Sequence, residues 1–472
     1  MLSVNAGCTL AQDFDGLSDA LNILDAWTAN RVLSHGLPGL SIGIVVGDKL
    51  VWARGYGYAD LRRKTPATPQ TLFGIRSVTK TFTALAILQL REVGKLQLDD
   101  PVTRYLPQVH ILKHSPGSPD ITIRELLTHT SGLERDAPGT VWTEGTFSTD
   151  ADLMLPLLQV YEPDTRWYYS NLGFALLGKV VEVQSHQSWS AYIQQHILIP
   201  LQMTNTLPVP KQNEPGLAVG YVRTVPGGAV VPADPAVLWP GGPTAIDAAG
   251  AMASNVQDLA KYIAFHLTEG SNGNSSVLSG PTLREMHRPQ WLLPGWQESW
   301  GLGMRVCRTN GHLCVGHAGG GIYAASVYFV PDLKLGVIVL SNSEDDELGD
   351  YRDYIVQLLA PFLNGSSPQA QRRLAGDFKR FVGLYEAKNH LGRMLVASLD
   401  GNLILLAPDE ANPRAGGTLL QPTDKPKVFF QREPDLGPSS FPGEKLIFDV
   451  SADDTVIGFH TDHVRYLRIG SL

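Results

Sequence analysis

The 472 residues predict an α+β domain over 1–365 followed by a small all-β antiparallel barrel or sandwich over 366–472. Three observations carry this reading. From Phe82 to Val93 the apolar residues (Phe82, Leu85, Ala86, Ile87, Leu88, Leu90, Val93) cover nearly the whole circumference of a helix, which marks a helix buried in the middle of its domain. β-rich runs stand at 38–58 and again at 314–342, with helical stretches between them. Past Asn364-Gly365-Ser366-Ser367-Pro368 the pattern changes to short β-runs: 381–385, 394–399, 403–407, 428–431, 446–450, 456–460 and 464–469, with Asp400-Gly401 a hairpin turn. A chain of this length exceeds one ordinary core.

Composition excludes several classes. Hydrophobic residues make up 43% and charged residues 18%, ordinary for a globular protein. The net charge of −8 leaves no basic face for nucleic acid or anionic membrane. Residues 366–472 are balanced at 13 basic and 13 acidic, so the whole excess lies in the first 365. No apolar run approaches the roughly eighteen residues a membrane helix needs. Three cysteines make neither a disulfide scaffold nor a metal site, so no metal and no cofactor are expected.

In chain order, MLSVNAGCTLAQ lacks a basic n-region and a long apolar stretch, so the location expected is cytoplasmic; Ala6 to Cys8 resembles the end of a lipoprotein signal, though Asn5 stands where that signal wants a leucine, and a lost or trimmed signal is the alternative. Leu17, Leu21, Leu24 and Trp27 carry helical spacing, the mark of an amphipathic surface helix. Pro38 to Val46 and Leu50 to Tyr58 form a hairpin about the two-residue turn Gly47-Asp48. The buried helix follows, stopped by Gly94. If it begins near Ser77, then Ser77 and Lys80 lie one turn apart on one face, and the Ser77 N–H is among the first-turn donors with no partner inside the helix. A nucleophile, an amine able to take its proton when buried and neutral, and half an oxyanion hole then converge. Alone, S-x-x-K also arises by chance in a chain this long.

ITIRELLTHTSGLERD reads as a helical segment cut off by Ser131-Gly132. His129, between two threonines at its end, is read as a loop-fixing hydrogen-bond donor rather than the base. Tyr169 and Asn171 stand in the loop or first turn before the apolar helical run Leu172, Ala175, Leu176, Val180. A tyrosine beside an ammonium has its phenolate favoured, because an opposite charge within about 4–6 Å lowers its pKa, and it then shuttles a proton. Asn171 offers an amide to hold substrate or Lys80; alone, the motif is a plain N-cap.

Residues 216–250, rich in Gly, Pro and Ala, read as loops that could wall a cleft, and 247–267 returns to helix with Ser254 or Asn255 as cap. Between Cys314 and Asn342 two β-runs meet at Pro331-Asp332, with His317-Ala318-Gly319-Gly320 at the start of the first. A strand edge there would give a second oxyanion N–H from Gly320 and present His317 to substrate; the bland alternative is a flexible loop. If Asn310-Gly311 is a two-residue hairpin turn, Cys307 faces Cys314 at a hydrogen-bonded pair, about 5.5 Å apart at Cα. That allows a bridge, whereas a cytoplasmic location favours free thiols.

Taken together, Ser77-Val78-Thr79-Lys80 at a buried helix start, Tyr169-Ser170-Asn171 before a second helix and His317-Ala318-Gly319 on a β-run resemble the serine β-lactamase and penicillin-binding superfamily. The match looks closest to the class C-like branch of DD-carboxypeptidases, D-aminopeptidases, family VIII carboxylesterases and D-peptide hydrolases with an appended barrel. LLTHTSGL, DDPVTRYLP, NLGFALLG and FVPDLKLGVIVLSN also resemble that family's connecting segments, so the likeness runs from about Leu17 to Phe362. It implies Ser77 as nucleophile, Lys80 and Tyr169 as the proton-handling pair, Asn171 as a substrate-orienting amide, and His317 with Gly319 as the third motif. It implies an antiparallel sheet of the two N-terminal and three late strands, flanked by terminal helices, beside an all-helical region. The C-terminal barrel resembles a lipocalin-like domain and is expected to be a stabilising or homo-oligomer-forming appendage; a closed eight-strand barrel can be filled by its own side chains.

One departure bears on substrate. Ala318 stands where β-lactamases and many carboxypeptidases carry a threonine whose hydroxyl helps hold the substrate carboxylate. Losing one charge-assisted hydrogen bond removes about 1.5–3 kcal/mol. The expected activity is therefore hydrolysis of small esters, amides or short peptides through an acyl-enzyme. A β-lactamase or DD-carboxypeptidase, an acyltransferase and a non-catalytic scaffold are the competing readings.

Overall fold

The computed structural model describes residues 17–470 apart from the stretches 141–148, 212, 226–227, 235–243, 272–276, 296–297, 344–347, 364–375, 388–391, 400, 409–416 and 433–442. The N-terminal stretch with Cys8, the linker with the 365/366 boundary, Asp400 and part of the 216–250 loops therefore lie outside the described residues. The chain forms two compact units: Leu37–Leu348, and Met1–Gly36 together with Gly349–Leu472.

In the larger unit a nine-stranded sheet runs, from edge to edge, Trp291–Leu292, Glu298–Trp300, Arg305–Thr309, His312–Gly319, Ala324–Val330, Leu335–Ser341, Gly39–Val46, Lys49–Asp60 and Thr65–Pro66. All its pairings are antiparallel. The N-terminal hairpin turns at Gly47-Asp48 as expected and joins the late strands through Ile42 opposite Val339. Nine strands stand where five were expected, because short pieces such as Trp291–Leu292 carry too little alternation to be read as strands. The third motif is also displaced: it ends the interior strand His312–Gly319 rather than opening the run at Ala324, and both neighbours of that strand are paired. Helix Val256–Leu267, capped by Asn255 accepting from Asp258 N at 2.9 Å, packs on Gly39–Val46 and Leu335–Ser341.

Helix Thr79–Glu92 is buried from Thr79 to Leu88 and stops at Gly94, whose φ of +73° a glycine takes without strain. Val93, counted in the apolar circumference, is exposed. A 3₁₀ turn, Arg76–Val78, precedes this helix, so Ser77 sits in the turn before it rather than in its first α-turn. The helix ending the LLTHTSGL stretch spans Ile123–Thr128 behind a Thr122/Glu125 capping box. It stops at His129 in the left-handed region, two residues before the expected Ser131-Gly132.

In the smaller unit, helix Leu17–Ser34 is more buried than a surface helix: Trp27 packs on Tyr351 and Tyr354 of helix Leu348–Leu363. Ser398 Oγ donates to Asp19 at 3.0 Å and Arg393 Nη1 to Asn30 at 2.8 Å, tying the first helix to strand Arg393–Leu399. These contacts group both terminal helices with the barrel, whereas the 365/366 boundary assigns them to the larger domain. The barrel closes with eight strands in chain order, Gly383–Ala387 pairing with both its successor and the last strand Arg465–Gly470. The strand Thr418–Pro422 was not legible, because its five residues end in proline within a turn-rich stretch. Phe381, Tyr385, Phe429, Phe448, Phe459 and Tyr466 fill the interior.

Candidate active site

The segment 73–80 is held on two sides. Phe73–Gly74 pairs with Ala253–Ser254, Ile75 N donates to Met252 O at 2.9 Å and Met252 N donates to Thr79 Oγ1 at 3.1 Å. One turn further on, Thr83 Oγ1 donates to Ala248 O at 2.7 Å. The short helix Asp247–Gly250 is thereby pressed against the helix that follows Ser77. Arg76 adopts a φ of +49°, a left-handed residue immediately before the hydroxyl.

Lys80 is fully buried. Its Nζ donates to Asn171 Oδ1 at 2.7 Å and to Ala249 O at 2.8 Å, and stands 3.3 Å from Ser77 Oγ. Burial lowers its pKa well below the usual lysine range, with Asp136 opposing the shift and Arg135 and Arg76 adding to it. The Lys80 Nζ lies 4.9 Å from the centre of the Tyr169 ring. Ser77 lies close enough to the Tyr169 hydroxyl to oppose the rise of its pKa. The structure thus brings Ser77, Lys80, Tyr169 and Asn171 to one point.

One expectation is overturned. The phenolate of Tyr169 is not favoured: its pKa is raised, chiefly by burial, and Ser77 and the charge of Arg135 only partly offset this. Desolvation of the buried phenolate outweighs the positive charge nearby. Burial thus pushes the two in opposite senses, Lys80 toward the neutral amine and Tyr169 toward the protonated phenol.

Asn171 opens helix Asn171–Ser185, but the cap is Ser170, whose hydroxyl accepts from Gly173 N at 2.9 Å and donates to Glu134 O at 2.7 Å. Asn171 is left to the site. Its Nδ2 donates to Asp136 Oδ1 at 2.7 Å.

His317 is buried beside Tyr169. Strand alternation turns it inward, 4% exposed, while Ala318 is exposed. Its ring lies 5.4 Å from Trp300 and 6.2 Å from Tyr169, and its Nδ1 donates to Ala318 O at 2.6 Å. Burial and the neighbouring Lys80 push its pKa down to about 3, so it is neutral. Gly319 lies where the strand meets the Ser77 turn: a Cβ there would stand 2.4 Å from Ile75 O and 2.9 Å from Arg76 Cβ. Only glycine admits that approach. Gly320, next along, is exposed.

His129 fixes its loop, but as an acceptor: Ser170 N donates to its Nδ1 at 3.1 Å, and its ring packs 4.2 Å from Tyr169. The residues missed in sequence are Asp136, Arg135 over the Tyr169 ring at 5.4 Å, the Ala249 carbonyl and Trp300. No spacing links Asp136 to Asn171, 35 positions on, and a backbone carbonyl has no sequence signature.

Cys307 and Cys314 face each other as the Asn310-Gly311 turn implies, 5.1 Å apart at Cα. They are joined as a disulfide, the bridge that the hairpin allows, because an opposed pair at this spacing puts the sulfurs within bonding reach. Among the described residues no cluster of His, Cys, Asp and Glu could hold a metal ion, and no helix is long and apolar enough to cross a membrane.

A family model described as Beta-lactamase matches residues 21–360. The chain is similar to Protein flp of Staphylococcus aureus (strain MRSA252), 28% identical over 335 residues, covering 69% of this chain and 63% of that protein. It is also similar to Protein flp of strain MW2, 32% identical over 196 residues, 40% of this chain and 38% of that protein. Beta-lactamase-like protein 2 of Dictyostelium discoideum is 29% identical over 299 residues, 59% of this chain and 50% of that protein. The chain thus spans less than two thirds of the length of these curated relatives. Among solved structures, the octameric penicillin-binding protein homologue from Pyrococcus abyssi is 26% identical with a TM-score of 0.62, covering 95% of this chain and all of that one. With the family model spanning well over half of the chain, on the fold that carries Ser77, Lys80 and Tyr169 to one point, the chain belongs to the β-lactamase family.

Proposed function

We propose that the chain hydrolyses small ester or amide substrates through an acyl-enzyme on Ser77, in the manner of the carboxylesterases and D-aminopeptidases of the class C-like branch. One observation carries the reading. Lys80 Nζ has three oxygen neighbours, Asn171 Oδ1, Ala249 O and Ser77 Oγ, and in its neutral form its two N–H groups go to the two that cannot donate, Asn171 Oδ1 and Ala249 O. The lone pair is left for the Ser77 hydroxyl at 3.3 Å. Ser77 Oγ then attacks the substrate carbonyl while its proton passes to Lys80 Nζ. Tyr169 gives its phenolic proton to the leaving group and regains one from the Lys80 ammonium. The Ser77 and Gly320 N–H groups receive the oxyanion. Water enters on the same path in reverse, giving the acid and free Ser77.

A β-lactamase or DD-carboxypeptidase activity is the second reading, favoured by the similarity to the penicillin-binding protein homologue. Ala318, exposed at the site and without a hydroxyl, weighs against it. The test is mass spectrometry after fluorophosphonate treatment, with a panel of short-chain nitrophenyl esters, D- and L-amino acid nitroanilides and a chromogenic cephalosporin. One label on the Ser77 peptide and turnover of esters or nitroanilides above the cephalosporin are expected. Label on Ser131 or Ser170 instead, or none in folded protein, defeats the reading.

The barrel is proposed to be a lipocalin-like stabilising or homo-oligomer-forming appendage, the octamer of the similar protein being the motive for measuring mass by light scattering. The cytoplasmic location also stays a proposal, to be set against the Cys307–Cys314 bridge, since disulfides persist in oxidising compartments.

A further inference from the structure

We propose that Asp136 is a positioning residue: by accepting from Asn171 Nδ2 it fixes the Asn171 amide with Oδ1 toward Lys80, and so aims the Lys80 lone pair at Ser77. The inference rests on the serine-hydrolase reading. A side-chain amide has two chemically opposite ends, and either could face a neutral amine. With its NH₂ toward Lys80, the amide would draw the lysine lone pair to itself and away from Ser77. A carboxylate cannot donate, so Asp136 Oδ1, 2.7 Å from Nδ2, admits one orientation only. Oδ1 of Asn171 then faces Nζ at 2.7 Å, and the Ala249 carbonyl, equally unable to donate, takes the second N–H.

Asp136 is itself held. Its Oδ2 lies 3.6 Å from Arg135 Nε, and its side chain is 20% exposed, so the carboxylate is anchored without being desolvated on all sides. The backbone repeats the tie, Asn171 N donating to Arg135 O at 2.6 Å. Residues 135–136 and the start of helix Asn171–Ser185 are therefore tied by side chain and backbone alike. The groups whose charge or titration Lys80 feels are Asp136, Arg135, Arg76 and Tyr169, with the neutral His129 and His317 beyond. Asp136 is the one that favours the ammonium.

The experiment compares wild type, Asp136→Leu, Asp136→Asn, Asn171→Ala and the Asp136→Leu/Asn171→Ala pair, by fluorophosphonate labelling and by the pH profile of nitrophenyl ester hydrolysis. Asp136→Leu should lower kcat about ten- to a hundredfold with little change in KM, the cost of a mis-aimed group. Asp136→Asn should recover most of kcat, since its amide oxygen still accepts from Asn171. Its acidic limb of kcat/KM should move to lower pH, because the charge that favoured protonated Lys80 is gone. In the Asn171→Ala background, Asp136→Leu should cost little more. An unchanged kcat in Asp136→Leu, or an equal loss with and without Asn171, overturns the inference. If Asp136→Leu fails to fold, the pH profile of Asp136→Asn decides, an unmoved limb overturning it. Wild type that takes no label on Ser77 sinks the hydrolase reading; labelled wild type with indifferent Asp136 variants sinks this inference alone.

Discussion

Lys80 and Tyr169 share a consequence of burial, in opposite senses for their chemistry. Desolvation penalises whichever form is charged, so the lysine is pushed toward its neutral, basic form and the tyrosine keeps its proton into alkali. The active form has Lys80 neutral and Tyr169 protonated. Activity is therefore lost on the acid side as Lys80 takes a proton, and kcat/KM should stay level up to about pH 10 instead of climbing toward the ordinary lysine pKa. A steady rise from neutrality to pH 10 would show an ordinary lysine. Lys80→Ala and Tyr169→Phe should each lower kcat/KM by about 10²- to 10⁴-fold. The double variant should lose little more than the worse single, because members of one proton path are not additive. Losses that multiply would separate the two residues.

Among the elements, the contact that matters most is strand His312–Gly319 against the turn Arg76–Val78. A methyl group at Gly319 meets the backbone of Ile75, which has no flexible end to swing away. Gly319→Ala should cost about 1–3 kcal/mol of stability as overpacking. It should also slow labelling of Ser77 far more than the stability loss explains, since the strand must back away from the oxyanion site. Gly117→Ala, where the added carbon meets nothing within 4 Å, is the control and should leave melting temperature and labelling nearly unchanged. Equal labelling rates in the two variants would show that the strand can shift without disturbing the turn.

For the molecule as a whole, the division into two compact units predicts separable damage. Phe448 is buried in the barrel, stacked on Phe381 with ring centres 4.2 Å apart and edge-on to Phe429. Phe448→Ala should destabilise the barrel by about 3–5 kcal/mol. In scanning calorimetry it should lower one transition, while fluorophosphonate labelling of Ser77 proceeds at the wild-type rate. A single transition that falls together with the labelling rate would mean that the two units fold only jointly.

Local rules made much of this legible from residues alone. Turn chemistry at Gly47-Asp48 and Asn310-Gly311 placed two hairpins, the second in register down to Cys307 opposite Cys314, while a bulge between Ile44 and Val45 shifts the pairing of the first. The apolar circumference announced the buried helix, and S-x-x-K put a hydroxyl and an amine on one face of its start. Those signals survive in a short window because φ/ψ preference and side-chain period are local properties. Tertiary structure decided what depends on approach and water exclusion: the lowered pKa of Lys80, the raised pKa of Tyr169, the inward turn of His317, and the hold of Asp136 on Asn171. It also decided that the terminal helices group with the barrel, through Trp27 on Tyr351 and Tyr354. A pKa is set by every group that displaces water around an atom, and most of those groups arrive from elsewhere in the chain.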